Sequence, residues 1–338
     1  MKGVCNETIS FFTFSRKHTM NGTTSTQNLW AATAPPHPKL SSLVGDQKTD
    51  VAIIGGGYTG TSAALHLAEQ GVNSILLEAN TIGYGGAGRN VGLVNAGLWL
   101  MPDDVVSIIG NEYGERLIEV LGASPDLVFN LIEKHNIKCE AVRQGTLHLA
   151  HSLSGYKVLQ QRESQWKRRN APVQLLSREE TEPMIGSKAF YGALLDKRAG
   201  SIQPLAYAFG LAEAARKAGA SLYTQSPVTS LKRIGEEWHL KTPGGTVAAK
   251  SVILAVQGYA DYGFKHYQQA LIPFNFFQFA TTPLPESVRK TILPGKQASW
   301  DTNLILSSYR LDEAGRLIVG SVGQARNGGY SLHKNWVQ

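Results

Sequence analysis

Apolar runs of strand length alternate with segments of helical period over most of the chain. Asp50-Val51-Ala52-Ile53-Ile54 reads as a strand, residues 59–70 as a helix, and Ser74-Ile75-Leu76-Leu77 as a second strand that ends on Glu78. Helical patterns recur at residues 102–109, 113–121, 125–135 and 153–169. Residues 139–142 and 145–150 read as a strand pair turned at Arg143-Gln144. A short helix begins in Leu175-Leu176-Ser177-Arg178-Glu179-Glu180, with Ser177 as its N-cap, and residues 191–195 form a strand. Pro204 opens a helix carrying Leu205, Phe209, Leu211, Ala212 and Ala215, closed by Gly219. Leu222-Tyr223 is a short parallel strand. Residues 228–234 and 238–242 pair as a hairpin, Pro243-Gly244-Gly245 turns the chain, and residues 251–256 form a buried strand ending at Gln257-Gly258-Tyr259. From Leu271 the pattern is strand-like again, and residues 303–310 and 316–320 complete a mainly antiparallel sheet.

Between the first strand and the first helix stands Gly55-Gly56-Gly57-Tyr58-Thr59-Gly60. In a βαβ unit the glycines of a Gly-x-Gly-x-x-Gly turn serve different ends. Gly55 permits the tight turn, Gly57 lets backbone approach a pyrophosphate, and Gly60 lets helix pack close on strand. Tyr58 and Thr59 open the helix, whose N-terminus presents free N–H groups and a partial positive charge to phosphates. Glu78, followed by Ala79, is placed to accept from a ribose hydroxyl and to repel a 2′-phosphate. These features indicate an ADP-containing dinucleotide and leave NAD and FAD both open.

A second glycine-rich turn follows at once: Ile82-Gly83-Tyr84-Gly85-Gly86-Ala87-Gly88-Arg89-Asn90-Val91-Gly92. Gly85, Gly86, Ala87 and Gly88, with Arg89 and Asn90, supply N–H donors and a cation near the same pyrophosphate. This turn argues against an NAD-linked dehydrogenase. Together with the first turn it resembles the D-amino-acid-oxidase-like family of FAD oxidoreductases. Ile82-Gly83-Tyr84-Gly85 and Gly88-Arg89-Asn90 match the family pattern, while Ala87 stands where a serine is commonest and Val91 replaces the first glycine of a closing pair. Supporting matches are Gly192-Ala193-Leu194-Leu195-Asp196, Ser201-Ile202-Gln203-Pro204-Leu205, Tyr309-Arg310-Leu311 and Gly315-Arg316-Leu317.

The resemblance implies an α/β chain, α+β overall. A glutathione-reductase-type, Rossmann-like FAD-binding domain (residues 49–100 and 199–262) is interleaved with a mainly antiparallel substrate or cap domain (101–198 and 263–338). The Thr-, Ser- and Pro-rich residues 1–48 read as an irregular N-terminal extension in which Trp30 packs on the main body and Met20 is a possible start. The resemblance further implies that Val228 meets the adenine through its backbone and that Ala255, Gln257 and Gly258 line the flavin cleft. Flavin is histidine-linked in some members of the family this chain resembles; no histidine occurs here between Leu67 and Lys134, so the resemblance implies noncovalent FAD. The family pattern runs on beyond Gln338, so the resemblance implies a truncated cap, without a carboxylate-binding arginine, a Gly-rich turn and a final helix.

Composition narrows the picture further. No apolar run is long enough to cross a bilayer, and no stretch has signal-peptide length, so the cytoplasm is the expected location. Cys5 and Cys139 make neither a disulfide framework nor a metal site, and His148 and His151 lie on a strand and its exit turn, a poor geometry for a shared metal. The net charge of +7 is mild, and Lys167-Arg168-Arg169 reads as a solvated helix end; no nucleic-acid partner is expected.

The absence of an acid–base cluster suits an enzyme whose cofactor carries the difficult step. The reaction the resemblance implies is oxidation of the C–N bond of a small-molecule amine or amino acid by hydride transfer to flavin N5, with oxygen or another acceptor completing the cycle. No protein residue emerges as catalytic. On the substrate side Asn95 can reach the ring edge or stabilise its turn, and Tyr309 and Arg310, adjacent on a strand, point to opposite faces, so only one looks at the flavin. Arg310 suits a carboxylate or a cross-strand ion pair. Phe274, Phe276, Phe277 and Phe279 read as sheet core ahead of an aromatic substrate wall. The competing reading is a truncated, noncatalytic relative that binds dinucleotide weakly or not at all.

Overall fold

The computed structural model describes residues 28–259 and 276–322. A helical turn, α1 (Leu29–Thr33), precedes β1 (Gln47–Ile54), α2 (Tyr58–Glu69) and β2 (Ser74–Leu77); the second glycine turn holds a 3-10 turn at Gly86–Gly88 and leads into β3 (Leu93–Val94). Then come α3 (Pro102–Ile109), α4 (Asn111–Lys134), β4 (Thr146–Leu149), α5 (Leu153–Lys167), β5 (Val173–Leu176), α6 (Arg178–Ile185), β6 (Ala193–Asp196) and β7 (Gly200–Ser201). They are followed by α7 (Pro204–Lys217), β8 (Ser221–Tyr223), β9 (Ser230–Ile234), β10 (Glu237–Thr242) and β11 (Gly245–Leu254). The remaining described elements are β12 (Phe276–Ala280), α8 (Glu286–Arg289), β13 (Ala298–Asp301), β14 (Ser307–Leu311) and β15 (Leu317–Val322).

One sheet runs in the order β8-β2-β1-β11-β10-β9. β1 lies parallel to both β2 and β11, and β2 parallel to β8, while β9, β10 and β11 are antiparallel. The two-residue period of a strand sorts its side chains. Ile53 and Leu76 enter one core with Ala64 and Leu65 of α2 and the largely buried α7; Ala52, Ile54, Ile75 and Leu77 enter a second with Val228, Leu240, Val247 and Leu43. The 228–234 and 238–242 hairpin and the parallel strand at Leu222 are thus present much as the pattern predicts.

A larger sheet has the order β12-β15-β14-β13-β4-β6-β5, antiparallel except where β13 meets β4. Both sheets together make the mixed α/β architecture expected. Several details differ. Residues 139–142 do not pair with 145–150; β4 instead takes β6 and β13 as neighbours, and Val142 makes one bridge to Ser201. Backbone geometry explains this: Glu140 and Gly145 both have positive φ (48° and 81°), and the Gly145 N–H bonds Ala199 O at 3.0 Å, which steers the strand away from its predicted partner. The two helices predicted at 113–121 and 125–135 are one, α4, running through Pro125. Proline removes the bond to the carbonyl four residues earlier. That carbonyl, Leu121 O, is satisfied by Ser124 Oγ (2.8 Å) and by Gly97 N–H (3.1 Å), so the helix continues and also anchors the segment after β3.

Ser177 caps α6 in a full capping box with Glu180, but residues 173–176 before it are strand β5 and not the helix start predicted from Leu175. Residues 29–33 are helical within a segment predicted to be irregular. On β12, Phe276 is exposed, whereas Phe277 and Phe279 are half-buried and stack at 6.1 Å; Phe274 lies outside the described residues. Arg168 and Arg169 close ion pairs with Asp103, and Arg169 also with Glu115, joining α5 to α3 and α4. Among the described residues no helix is long and apolar enough to cross a membrane, and no group of His, Cys, Asp and Glu is arranged to hold a metal ion.

Candidate dinucleotide site

The Gly-x-Gly-x-x-Gly turn sits where β1, β2 and β11 all end. Gly55 has φ 111°, and a Cβ there would lie 2.5 Å from Ala255 O, so only glycine fits. A Cβ on Gly60 would collide with Gly55 O. Gly57 is different in kind. A Cβ there would meet only Ala87 Cβ, at 3.6 Å, and Gly86 and Gly258 also border open space. Two glycines are thus demanded by packing and the third faces a cradle.

Glu78 does more than its spacing implies. Its carboxylate accepts from Gly56 N–H at 2.6 Å and from Asn80 N–H at 2.7 Å, pinning the first turn to the end of β2. Burial raises its pKa, opposed by bonds from the backbone of Asn80, Gly56 and Ala79. A ribose hydroxyl would share oxygens that already hold backbone.

The second glycine turn lies against the first. Gly83 N–H donates to Gly56 O at 2.9 Å, and Ala87 faces Gly57. Gly85 lies beneath Tyr259, whose Cε2 would be 2.7 Å from an added Cβ, and Gly88 packs on Gly83 and Leu205. Asn90, expected to offer a donor to phosphate, turns inward instead. Its Nδ2 reaches Ala87 O (2.9 Å), Gly86 O (3.1 Å) and Tyr58 Oη (3.2 Å), and its Oδ1 accepts from Gly92 N–H at 2.8 Å. Its amide is spent on folding the turn it belongs to. Tyr58 likewise points inward, donating to Pro204 O at 3.0 Å, and burial raises its hydroxyl pKa. Thr59 is exposed and Ala79 half-buried at the same end of the sheet. Arg89 donates through Nε to Tyr84 O at 2.7 Å and lies over the Tyr84 ring. Ala255 continues β11, bonding Ile54 O at 2.9 Å; Gly258 lies in a 3-10 turn after Gln257, whose φ is 44°; Val228 is buried beside the sheet.

Strand register assigns the faces of the larger sheet. Cross-strand partners share a face, so Gln278, Gly320, Ser308, Trp300 and His148 line up on one side. That side abuts the second turn: Gln278 Nε2 donates to Arg89 O at 2.7 Å, and Thr146 Oγ1 to Asn95 Oδ1 at 2.9 Å. Tyr309 lies on the opposite face, against Phe190 and the core of Leu147, Leu149, Ile185 and Leu293, away from both turns.

Arg310 is on the nearer face but only 2% exposed. Its Nη1 donates to Ile202 O and to Val91 O, and its guanidinium lies 5.3 Å from the Trp30 ring. Burial pulls its pKa down to about 10, which leaves it a cation at neutral pH. It does not face open space for a substrate carboxylate, and it forms no ion pair within 4 Å among the described residues. Asn95 keeps an exposed position but is tied to β4.

Trp30 carries more than the packing role predicted for it: its Nε1 donates to Asn90 O at 3.0 Å, and its own carbonyl accepts from Gln203 Nε2 at 2.9 Å. Gln203 in turn caps α7 through Ala206 N–H. Gln203 lies in the Ser201–Leu205 stretch that matches the family pattern, but nothing in that stretch points to Trp30, and a lone buried Trp carries no periodic signal.

His148 stacks on Trp300, rings 3.5 Å apart and 13° from parallel. Burial, reinforced by Arg162 and only partly opposed by the Asp301 backbone, holds its pKa well below the ordinary 6.5. The unfolded chain therefore binds this proton first as pH falls. Stability is predicted to decline below roughly pH 6.5, by up to about 1.4 kcal/mol per pH unit, until the folded-state pKa is reached. Urea unfolding at pH 7 and pH 5 checks this: His148→Phe should flatten the difference, and an unchanged difference would remove His148 as its source.

A parallel βαβ core with two converging glycine turns, covered by a large, mainly antiparallel sheet, defines a dinucleotide-binding oxidoreductase of the flavoprotein kind. The family model for DAO, FAD dependent oxidoreductase, matches residues 50–335, and the chain belongs to that family. Gamma-glutamylputrescine oxidoreductase of Escherichia coli (strain K12) is 32% identical over 305 residues, covering 88% of this chain and 70% of that protein. A probable oxidoreductase OrdL of Rhizobium meliloti (strain 1021) is 31% identical over 296 residues, covering 86% and 68%. The chain thus spans about two thirds of the length of these curated relatives. Among solved structures, glycine oxidase from Geobacillus kaustophilus superposes with a TM-score of 0.66 at 22% identity, over 86% of this chain and 77% of that one. L-proline dehydrogenase from P. horikoshii gives 0.65 at 19% identity, over 85% and 72%. These two likenesses establish the fold.

Proposed function

We propose that this chain oxidises the C–N bond of a primary or secondary amine or an amino acid, with noncovalently held FAD as the hydride acceptor. The observation that carries the reading is the junction of the two glycine turns, Gly83 N–H on Gly56 O, with an open cradle at Gly57 and Gly86. An open space bordered by bare backbone, where packing alone would admit a side chain, suits a diphosphate that approaches the main chain, and the family match supports FAD as its owner.

In this reading the N-terminus of α2 and the 3-10 turn at Gly86 hold the diphosphate, and Glu78 and Ala79 border the ribose. Val228, Ala255 and Gly258 border the adenine and the ring. The bound FAD supplies the electron-accepting chemistry. The protein's residues orient the amine, with the sheet face that carries Gln278 and Trp300 as its wall. The FAD-binding part corresponds to residues 49–100 and 199–262, the substrate part to 101–198 and 263–338. Oxygen or another carrier serves as final acceptor, and the cytoplasm is the location that suits the chain.

The test is anaerobic mixing of FAD-loaded protein with an amine panel that includes γ-glutamylputrescine, sarcosine, glycine and N-methylbenzylamine. Loss of the oxidised-flavin absorbance with at least one amine is expected. Protein that binds FAD yet keeps its colour with every amine would favour a noncatalytic dinucleotide binder.

A further inference from the structure

The sheet face turned toward the second glycine turn carries an aromatic group that no part of the cofactor site uses. Trp300 lies opposite His148 on β4 and Ser308 on β14, so all three share the face from which Gln278 reaches Arg89 and Thr146 reaches Asn95. One side of the Trp300 ring is covered by His148, stacked at 3.5 Å. Trp99 leans on it from the segment after β3, centroids 5.2 Å apart and 46° from parallel.

The Trp99 segment is built to hold its shape. Arg162, itself buried, donates to the carbonyls of Leu98 (3.3 Å), Trp99 (2.5 Å) and Leu100 (3.3 Å). One guanidinium fork fixing three successive carbonyls leaves the backbone little freedom. Gly97 N–H, bonded to Leu121 O, secures the same segment from α4. Yet the side chains so held are open: Trp99 is 50% exposed, and Leu98 and Leu100 are exposed as well. A rigid mount that presents indole to solvent, on the face that continues to the second glycine turn, has the construction of a ligand-binding wall.

We infer that Trp99 and Trp300 form a shelf for the non-reacting arm of the amine, and that this arm is aromatic or otherwise apolar. This rests on the amine-oxidising function proposed above and specifies its substrate class. An indole offers a flat apolar face that gains from stacking with a ring and from burying hydrocarbon. The shelf acts on binding of the arm and leaves the C–H bond broken in the reaction to the cofactor.

The test uses FAD-loaded protein and its Trp99→Ala and Trp99→Phe variants, chosen because half-exposed Trp99 can be changed with little effect on folding. Anaerobic flavin reduction is followed with N-methylbenzylamine, γ-glutamylputrescine and sarcosine. Trp99→Ala is expected to raise half-saturation for N-methylbenzylamine at least ten-fold, leave its limiting rate within two-fold, and change sarcosine little; Trp99→Phe should recover most of the loss. Equal half-saturation in Trp99→Ala and the parent would overturn the shelf. So would a Trp99→Ala protein that changes its sedimentation but not its amine response, since the patch would then be an interface between copies.

Should no amine bleach the parent protein, the oxidase reading fails and the shelf is judged separately. Saturable quenching of tryptophan emission by N-methylbenzylamine, lost in Trp99→Ala, would support it; absence of quenching would overturn it.

Discussion

Gly57→Val is expected to yield a folded protein that does not take up FAD. The two effects separate because of what surrounds this position. An added Cβ at Gly57 meets only Ala87, at an ordinary 3.6 Å, and the backbone φ of −83° is one that any residue adopts. Valine's branches then project into the cradle where the diphosphate must approach backbone. Circular dichroism and the unfolding midpoint should stay near those of the parent, while FAD affinity drops by at least 100-fold. Gly60→Val is the contrasting case. There a Cβ collides with Gly55 O, so the strand–helix contact itself is lost and the fold with it. A Gly57→Val protein that loads FAD normally would mean that the cofactor does not approach this turn.

Arg310→Met should destabilise the fold by about 3 kcal/mol or more, since hydrogen bonds to a charged donor are worth roughly 1.5–3 kcal/mol each. The guanidinium satisfies Val91 O and Ile202 O, and no water can replace it at 2% exposure. Methionine fills the volume but leaves both carbonyls without a donor. Val91 follows directly on Asn90, whose carbonyl is held by Trp30 and whose side chain shapes the second turn. FAD affinity is therefore expected to fall along with stability, by ten-fold or more. Arg310→Lys keeps the charge and a nitrogen donor but loses the planar guanidinium whose Nη1 reaches both carbonyls, so an intermediate loss is expected. Chemical denaturation gives the first quantity and quenching of flavin fluorescence the second. Full stability in Arg310→Met would show that these carbonyls do not depend on the guanidinium.

Much of the cofactor half is legible in the sequence because its constraints are local. Gly55, Gly57 and Gly60 have fixed spacing between strand and helix, and the apolar runs of β1 and β2 admit little besides a buried parallel pair. Ser177 is legible for the same reason, since a capping box is written within four residues. The rest depends on distant partners. The strand expected at 139–142 does not form because positive φ at Glu140 and Gly145 and a bond to Ala199 redirect the chain, none of which is encoded in hydrophobic alternation. Proline at 125 reads as a helix break unless one knows that Gly97 N–H will cover Leu121 O.

The same limit explains the substrate side. Tyr309 and Arg310 do face opposite ways, as strand alternation requires, but which face meets the glycine turns follows from the register of β13, β14 and β15. That register removes Tyr309 from the cleft and buries Arg310 behind it. Asn90, Tyr58 and Glu78 show a further pattern: polar residues inside a cofactor motif brace the motif's own backbone. The shelf of Trp99 and Trp300 joins residues some 200 positions apart and has no sequence signal.

If the two glycine turns together clasp the diphosphate of FAD, a crystal structure of the chain with FAD shows it most directly. Phosphate oxygens are predicted within hydrogen-bonding reach of backbone N–H groups at the start of α2 and in the Gly86–Gly88 turn. FAD bound elsewhere, or no FAD at a saturating concentration in solution, would contradict this.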